Sequence, residues 1–192
     1  MRIAGGTIRG RTLSAPSGDF LRPTQDAVRE AVFSMLANVL PGSRFLDLYA
    51  GTGAVGLEAW SRGAKEVTWV EKAPRSLKLI ERNLAACCGN PIPAGLRLVR
   101  SDVSAWVRHP DLAPESIDIV YADPPYVEKE GEADGMGALL SGILASGILA
   151  PTAFFLAEQR DRTPVPECEG FTKLSTRRYG KTIVTLYRHD RD

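Results

Sequence analysis

After residue 23 the apolar positions switch repeatedly between a helical and a strand-like period. In "RPTQDAVREAVFSMLANVL", Val28, Val32, Met35, Leu36, Val39 and Leu40 recur at helical spacing. Pro23 and the polar cluster Thr24 to Asp26 open that helix, and Pro41-Gly42 closes it. "RFLDLY" predicts a short strand, and the glycine-rich "AGTGAVG" leads into a helix over "LEAWSRG". "EVTWVE" predicts a strand, "RSLKLIERNLAACCG" a helix ending at Gly89, "LRLVR" a strand, "VSAWVRH" a short helix and "IDIVYAD" a strand. "MGALLSGILASGIL" predicts a helix despite its glycines, and "AFFLAEQ" a strand. "FTKLSTRRYG" and "KTIVTLYR" predict a closing hairpin that turns near Tyr179-Gly180. Strands alternating with helices imply βαβ units, a parallel sheet and right-handed crossovers.

Residues 1–22 break this pattern. They are glycine-rich and basic, with the strand-like pieces "RIAG" and "RTLSAP". They read as an N-terminal β-hairpin arm ahead of one domain over residues 23–192. The acidic stretch Gly131 to Gly137 reads as the mobile loop of that domain.

Composition narrows the class. A chain of 192 residues, 44% hydrophobic and 24% charged, suits one globular domain. No apolar run reaches the roughly 18 residues of a membrane span, and "MRIAGGTIRGRTL" lacks the apolar stretch of a secretory signal. The three cysteines form no CxxC pair, and there are only two histidines. That usage fits a reducing, cytoplasmic protein without structural zinc, with Cys87-Cys88 ending a helix. The net charge of +1 selects no partner, but its distribution is uneven. Residues 1–22 carry Arg2, Arg9, Arg11 and Arg22 against the single acid Asp19, and "KLSTRRYGK" carries Lys173, Arg177, Arg178 and Lys181 with no acid. These ends form either a footprint for a polyanion or two solvated surfaces.

The chemistry gathers around two motifs. "LDLYAGTGAVGLEA" holds G-x-G-x-x-G at Gly51, Gly53 and Gly56, after a strand and opening a helix. In that context the pattern marks a nucleotide cofactor, because glycine allows close backbone approach and the helix start offers N–H groups. Glu71, 20 residues beyond Gly51, stands where an acid meets ribose hydroxyls. NAD and S-adenosylmethionine both fit this loop. Asp47 in "LDL" suits a sulfonium with an ammonium group better than a pyrophosphate. Asp102 in "SDVSAW" can accept from an adenine amino group, with the Val103 amide facing the ring, or can cap the helix that follows.

The second motif is "YADPPY". A strand ending in Asp123-Pro124-Pro125-Tyr126 ends abruptly and rigidly. Asp123 and the Pro124 carbonyl can accept the two N–H bonds of an exocyclic base amine and aim its lone pair. Tyr126 offers a face on which an extruded base stacks.

These features together resemble the class I S-adenosylmethionine-dependent methyltransferases of exocyclic amines. "MRIAGGTIRGRTLSAPSG", "RPTQDAVREAVFSML", "FLDLYAGTGAVGLEAWSRGA", "YADPPY" and "RYGKTIVTLYR" more narrowly resemble the bacterial 16S rRNA (guanine-N2)-methyltransferase family, the RsmD-like enzymes. The resemblance implies a Rossmann-like α/β fold. Its seven-stranded, mostly parallel sheet has the last strand antiparallel and helices on both faces. It also implies S-adenosylmethionine as methyl donor and a guanine of 16S ribosomal RNA as acceptor, within a small-subunit assembly particle, with no membrane and a monomeric enzyme. Asp123, Pro124 and Tyr126 are then the catalytic corner. Asp47, Gly51, Gly53, Glu71, Asp102, Val103 and Thr24 hold the cofactor, and Arg9, Arg11, Arg22, Arg177, Arg178 and Lys181 hold RNA. "DPPY" also occurs in DNA adenine-N6 methyltransferases, the rival within the class. An NAD-dependent oxidoreductase is disfavoured by the lack of a Tyr-x-x-x-Lys pair and of a site-like context for His109 or His189. A non-catalytic RNA-binding module is disfavoured by the intact glycine loop and "DPPY".

Overall fold

The computed structural model describes residues 1–15, 26–125 and 135–190. Seven strands alternate with five helices: α1 (Asp26–Met35), β1 (Arg44–Leu48), α2 (Ala54–Ser61), β2 (Glu66–Glu71), α3 (Pro74–Cys88), β3 (Leu96–Arg100), α4 (Val103–Arg108), β4 (Ile117–Ala122), α5 (Gly135–Ala145), β5 (Leu149–Arg160), β6 (Phe171–Tyr179) and β7 (Thr182–His189). They form one sheet in the order β3-β2-β1-β4-β5-β7-β6. Strands β1 to β5 pair in parallel, whereas β7 runs antiparallel to both β5 and β6. The antiparallel last strand matches the expectation.

The chain winds outward from β1 to β3, then returns to place β4 on the other side of β1. Strand order therefore reverses between β1 and β4, and ligands of open α/β sheets bind outside the carboxyl ends of the strands at such a point. The register sets Asp47 opposite Tyr121 and Leu48 opposite Ala122. The segments that follow these two strands, the glycine loop and Asp123-Pro124, consequently start side by side.

Both sheet faces are covered, which is why the central strands read as continuous apolar runs. Phe45, Trp69, Tyr121 and Leu156 face α1, α2 and α3, where they join Val28, Phe33, Leu57 and Ile80. Leu46, Leu48, Val120 and Phe155 face α4 and α5, where they join Trp106, Leu140 and Ile143. Among the described residues no helix is long and apolar enough to cross a membrane.

Several boundaries differ from the expected ones, chiefly those of α1, α5 and β5. α1 occupies Asp26–Met35 and gives way to turns before Pro41, with Leu40 N–H bonded to the Leu36 carbonyl at 2.9 Å. Gly135 to Gly137 begin α5, whereas residues 131–134 of the expected loop lie outside the described residues. α5 stops at Ala145 because Gly147 adopts φ 70°, and β5 already begins at Leu149. α3 ends at Cys88, as expected, with Cys87 buried there.

The N-terminal hairpin is docked on the domain. Arg2 and Thr12 form an antiparallel bridge, and Ile3 N–H donates to the Arg11 carbonyl at 3.0 Å. Ile3 and Leu13 are buried in the same core as Phe33 and Leu57. The expected boundary between residues 22 and 23 falls outside the described residues.

Candidate active site at the switch point

The loop after β1 turns sharply. Tyr49 at φ 59°, Gly51 at φ 56° and Gly53 at φ 75° all occupy the left-handed region. Two of these positions suit glycine, but Tyr49 holds a conformation that costs a tyrosine roughly 1–3 kcal/mol. Nothing in the spacing of the sequence marks Tyr49, a half-buried ring beside Ser104 of α4. Gly53 N–H closes the turn on the Ala50 carbonyl at 2.7 Å. Gly56, in the first turn of α2, has a different purpose. A Cβ there would lie 2.3 Å from Trp69 Nε1 on β2, so only glycine lets α2 lie on the sheet at this point. Trp69 Nε1 donates to the Gly53 carbonyl at 3.2 Å and fixes the loop's end.

Two acids hold this loop from below. Asp47 is 1% exposed, and its Oδ2 accepts Gly56 N–H at 2.9 Å. Burial pushes its carboxyl up to about 8; the Gly56 hydrogen bond works against that rise and the Glu71 charge adds to it. Glu71, at the end of β2, accepts Gly51 N–H at 2.9 Å on Oε2 and the Lys72 and Ala73 N–H groups at 2.8 and 2.7 Å on Oε1. A carboxylate has about four acceptor sites, so room remains for a ribose hydroxyl. Asp102 is the N-cap of α4, accepting Ala105 N–H at 3.2 Å, and pairs with Lys72 Nζ at 2.8 Å. The Lys72 ammonium chiefly holds its carboxyl below the usual range. The capping role is therefore built into the protein itself, and Val103 is buried in the first turn it caps.

Asp123 follows β4 at the same edge and is half-buried, as is Pro124, while Pro125 is exposed. Burial pushes the Asp123 carboxyl well above the ordinary range, helped by the charges of Glu158 and Asp47. Glu158, 3% exposed on β5, accepts the Tyr121 hydroxyl. Ala122 pairs with Ala157, so Asp123 and Glu158 continue that register and share a face with Asp47 and Tyr121. Three carboxyl groups thus line up across β1, β4 and β5. The sequence reading passed over Glu158, although a lone acid inside "AFFLAEQ" was its signal.

The remaining site residues separate. Arg9 and Arg11 are exposed on the hairpin, with the Arg11 guanidinium reaching the Ala86 carbonyl of α3 at 3.5 Å. Arg177, Arg178 and Lys181 are exposed around the β6–β7 turn at the sheet's far edge. Arg178 is engaged there by Asp161 and by the Gly180 carbonyl. Arg22, Thr24 and Tyr126 lie outside the described residues.

The residues present fit a nucleoside cofactor that carries a cation. Above Gly51 the space is open, an added Cβ meeting only the Tyr49 carbonyl at 3.8 Å, and acids stand at or beside the carboxyl ends of β1 (Asp47), β2 (Glu71) and β4 (Asp123). Sheet order, glycine loop and Asp-Pro-Pro corner together define the fold of the class I S-adenosylmethionine-dependent methyltransferases. Within that class, the family described as Conserved hypothetical protein 95 matches residues 1–188, and the chain belongs to it. It is 29% identical over 189 residues to Ribosomal RNA small subunit methyltransferase D of Haemophilus influenzae, covering 98% of this chain and 94% of that one. The solved structure of a hypothetical protein from Thermus thermophilus superposes with a TM-score of 0.77 at 31% identity, covering 97% of this chain and 98% of that one. SMU.776, solved complexed with SAH, shares the fold at 20% identity and a TM-score of 0.62, covering 83% of this chain and 49% of that one.

Proposed function

We propose that this chain methylates the exocyclic N2 amino group of a guanine in small-subunit (16S) ribosomal RNA, using S-adenosylmethionine. The observation that carries the reading is the half-buried Asp123-Pro124 corner directly beside the glycine loop across the β1–β4 pair. When bound, the cofactor supplies an activated methyl group. Glu71 takes its ribose, Asp102 and the Val103 amide its adenine, and the Gly51–Gly53 backbone with Asp47 its amino-acid end; Thr24 is expected to close over it.

The protein's own work is on the amine. The nitrogen lone pair of a base amine is delocalised into the ring, so the free amine is a weak nucleophile. Asp123 and the Pro124 carbonyl accept its two N–H bonds and turn the lone pair towards the methyl group. Asp123, ionised at this point, then takes the proton the nitrogen loses. A carboxyl pushed upward by burial is a stronger base than an ordinary carboxylate, and that suits the task. Tyr126 is expected to stack on the guanine. Arg9 and Arg11 contact phosphates, with Arg22, Arg177, Arg178 and Lys181 extending the surface. The name of the Haemophilus influenzae relative, a ribosomal RNA small subunit methyltransferase, supports the ribosomal substrate. The enzyme acts in the cytoplasm as a monomer, on an assembling small subunit.

The test is methyl transfer by the full chain to unmodified 16S RNA and to small-subunit particles, followed by mass analysis of nucleosides. N2-methylguanosine is the expected product. N6-methyladenine in DNA, with nothing in RNA, would transfer the assignment to the DNA enzymes.

A further inference from the structure

One buried side chain outside the site touches both the cofactor loop and the N-terminal hairpin. Asn83 of α3 is 1% exposed. Its Oδ1 accepts Ser14 N–H at 2.8 Å, and its Nδ2 donates to the Ser14 carbonyl at 3.1 Å and to the Thr52 carbonyl at 2.9 Å. The partners fix the amide's orientation, because an N–H needs the oxygen and two carbonyls need the NH₂. Thr52 stands between Gly51 and Gly53, at the crest of the turn.

The hairpin is also held by α2, the helix into which that turn runs. Glu58, wholly buried, accepts Ala4 N–H on Oε2 and Gly5 N–H on Oε1, both at 2.8 Å. The Ser61 carbonyl accepts Thr7 N–H at 2.7 Å, and Ser61 Oγ accepts Ile8 N–H at 3.1 Å. The hairpin therefore bonds to both helices that wall the loop, but among these contacts only Asn83 reaches the loop backbone itself.

We propose that Asn83 is a positioning residue that couples docking of the N-terminal hairpin to the shape of the cofactor loop. Cofactor affinity then depends on whether the hairpin is seated, although neither Ser14 nor Ile3 belongs to the cofactor site. The proposal rests on reading the 49–53 loop as the cofactor cradle. The physical reason is local. With Ser14 in place, the Asn83 amide has three partners and a single rotamer, and the Thr52 carbonyl is held. With the hairpin unseated, the amide loses two of the three bonds that orient it. The loop, with Tyr49 already in a disfavoured conformation, gains freedom that a ligand must remove on binding. Reciprocity follows: a ligand that orders the loop also favours the seated hairpin.

The hairpin can be unseated from a distance. Gly6 has φ 80°, and an added Cβ would fall 1.8 Å from the Ser61 carbonyl oxygen, so Gly6→Ala must break the Thr7–Ser61 contact. The experiment titrates S-adenosylhomocysteine into the full-length wild type, Gly6→Ala, Asn83→Ala and the double variant. Gly6→Ala and Asn83→Ala should each weaken binding about fivefold or more, the low end of typical coupling between sites. The double variant should bind no more weakly than Asn83→Ala alone, because both changes remove the same link. In methyl transfer, Asn83→Ala should act mainly on KM for S-adenosylmethionine. A merely destabilised fold would instead reduce the active fraction, lowering kcat and leaving KM. An unchanged affinity in Gly6→Ala, fully multiplicative losses in the double variant, or a loss confined to kcat would each overturn the proposal. If the wild type binds no S-adenosylhomocysteine, the cofactor reading fails on its own. Amide exchange in the ligand-free proteins then decides the coupling: Gly6→Ala must accelerate Gly51 and Gly53, and loosening limited to residues 3–14 refutes it.

Discussion

Replacing Asp47 by Asn should make the ligand-free protein progressively more stable, relative to wild type, as pH rises. Asp47 is 1% exposed, and burial raises its carboxyl to about 8. In the unfolded chain the same group titrates near 3.9. Between these values the folded protein holds a proton that the unfolded chain has released. The stabilisation from neutral Asp47 is complete below about pH 4 and is lost as pH rises through about 8. Each pH unit within that window removes about 1.4 kcal/mol. Asn cannot ionise, yet its amide oxygen can still accept Gly56 N–H. The stability difference between variant and wild type should therefore grow by roughly 3 kcal/mol from pH 5 to pH 7. Asp123 is pushed upward in part by the Asp47 charge, which is absent from both proteins while Asp47 stays neutral, so below about pH 8 its contribution largely cancels in the difference. The new NH₂ donor shifts the offset at every pH, by up to about 1–3 kcal/mol if it finds no acceptor, but not the slope. Urea unfolding at pH 5, 6 and 7, at fixed ionic strength and with matching m-values, measures it. A difference that does not change with pH would mean that Asp47 is ionised in the folded protein and would refute the reasoning. The functional counterpart is a loss of affinity for S-adenosylmethionine greater than that for S-adenosylhomocysteine, which lacks the sulfonium charge.

Three further outcomes follow from the site. Glu71→Ala removes the acceptor of three backbone N–H groups as well as the expected ribose contact, and calorimetry should find cofactor binding weaker by about 1.5–3 kcal/mol or more. In single-turnover methyl transfer, Asp123→Ala should lose on the order of 10²–10³ in rate, far more than it weakens cofactor or RNA binding, and Asp123→Asn, which retains one acceptor, should lose less. Near-normal rates in Asp123→Ala would reduce the Asp-Pro-Pro corner to a rigid turn. Replacing both Arg9 and Arg11 by Ala should flatten the dependence of log RNA affinity on log salt by up to about 0.7–0.9 per lost phosphate contact; an unchanged slope would move the footprint to the β6–β7 turn.

Elements with strong local signals were legible in the sequence. β1, the glycine turn and β4 carry them; the G-x-G-x-x-G spacing picks out Gly51 and Gly53 for close backbone approach, and their positive φ is a second need for glycine that the spacing does not state. The purpose of Gly56 was not legible, since it depends on Trp69, which the sheet register brings under α2. The sequence points Asp47 towards the cofactor but gives no sign that one of its oxygens also serves Gly56, a contact set by the depth of the turn. Residues 1–22 read as an arm because glycine and arginine dilute the apolar positions; Ile3 and Leu13 become core only when the bridge at Arg2 and Thr12 brings them together. Asn83 looked like one more polar residue of the amphipathic α3, and nothing local to "ERNLAACC" points to Ser14 or Thr52.

The choice between the two cofactors left open by the glycine loop can be argued from where its amides point. A dinucleotide site gives the N–H groups of the turn and helix start to a pyrophosphate. Here Gly51 N–H is donated to Glu71 and Gly56 N–H to Asp47, so two of these donors already serve carboxylates. A pyrophosphate would have to displace those carboxyl groups and lie beside acids that include Asp123 and Glu158, bringing further negative charge and no counter-charge to a place where burial already holds Asp47 and Asp123 against ionising. A cation meets the opposite situation. The burial and neighbouring negative charge that push Asp47 and Asp123 upward are offset when a positive charge enters among them, and part of what the cluster costs the free protein returns as cofactor affinity. Selectivity for a sulfonium over a pyrophosphate thus follows from the same buried carboxyl groups whose crowding destabilises the free protein.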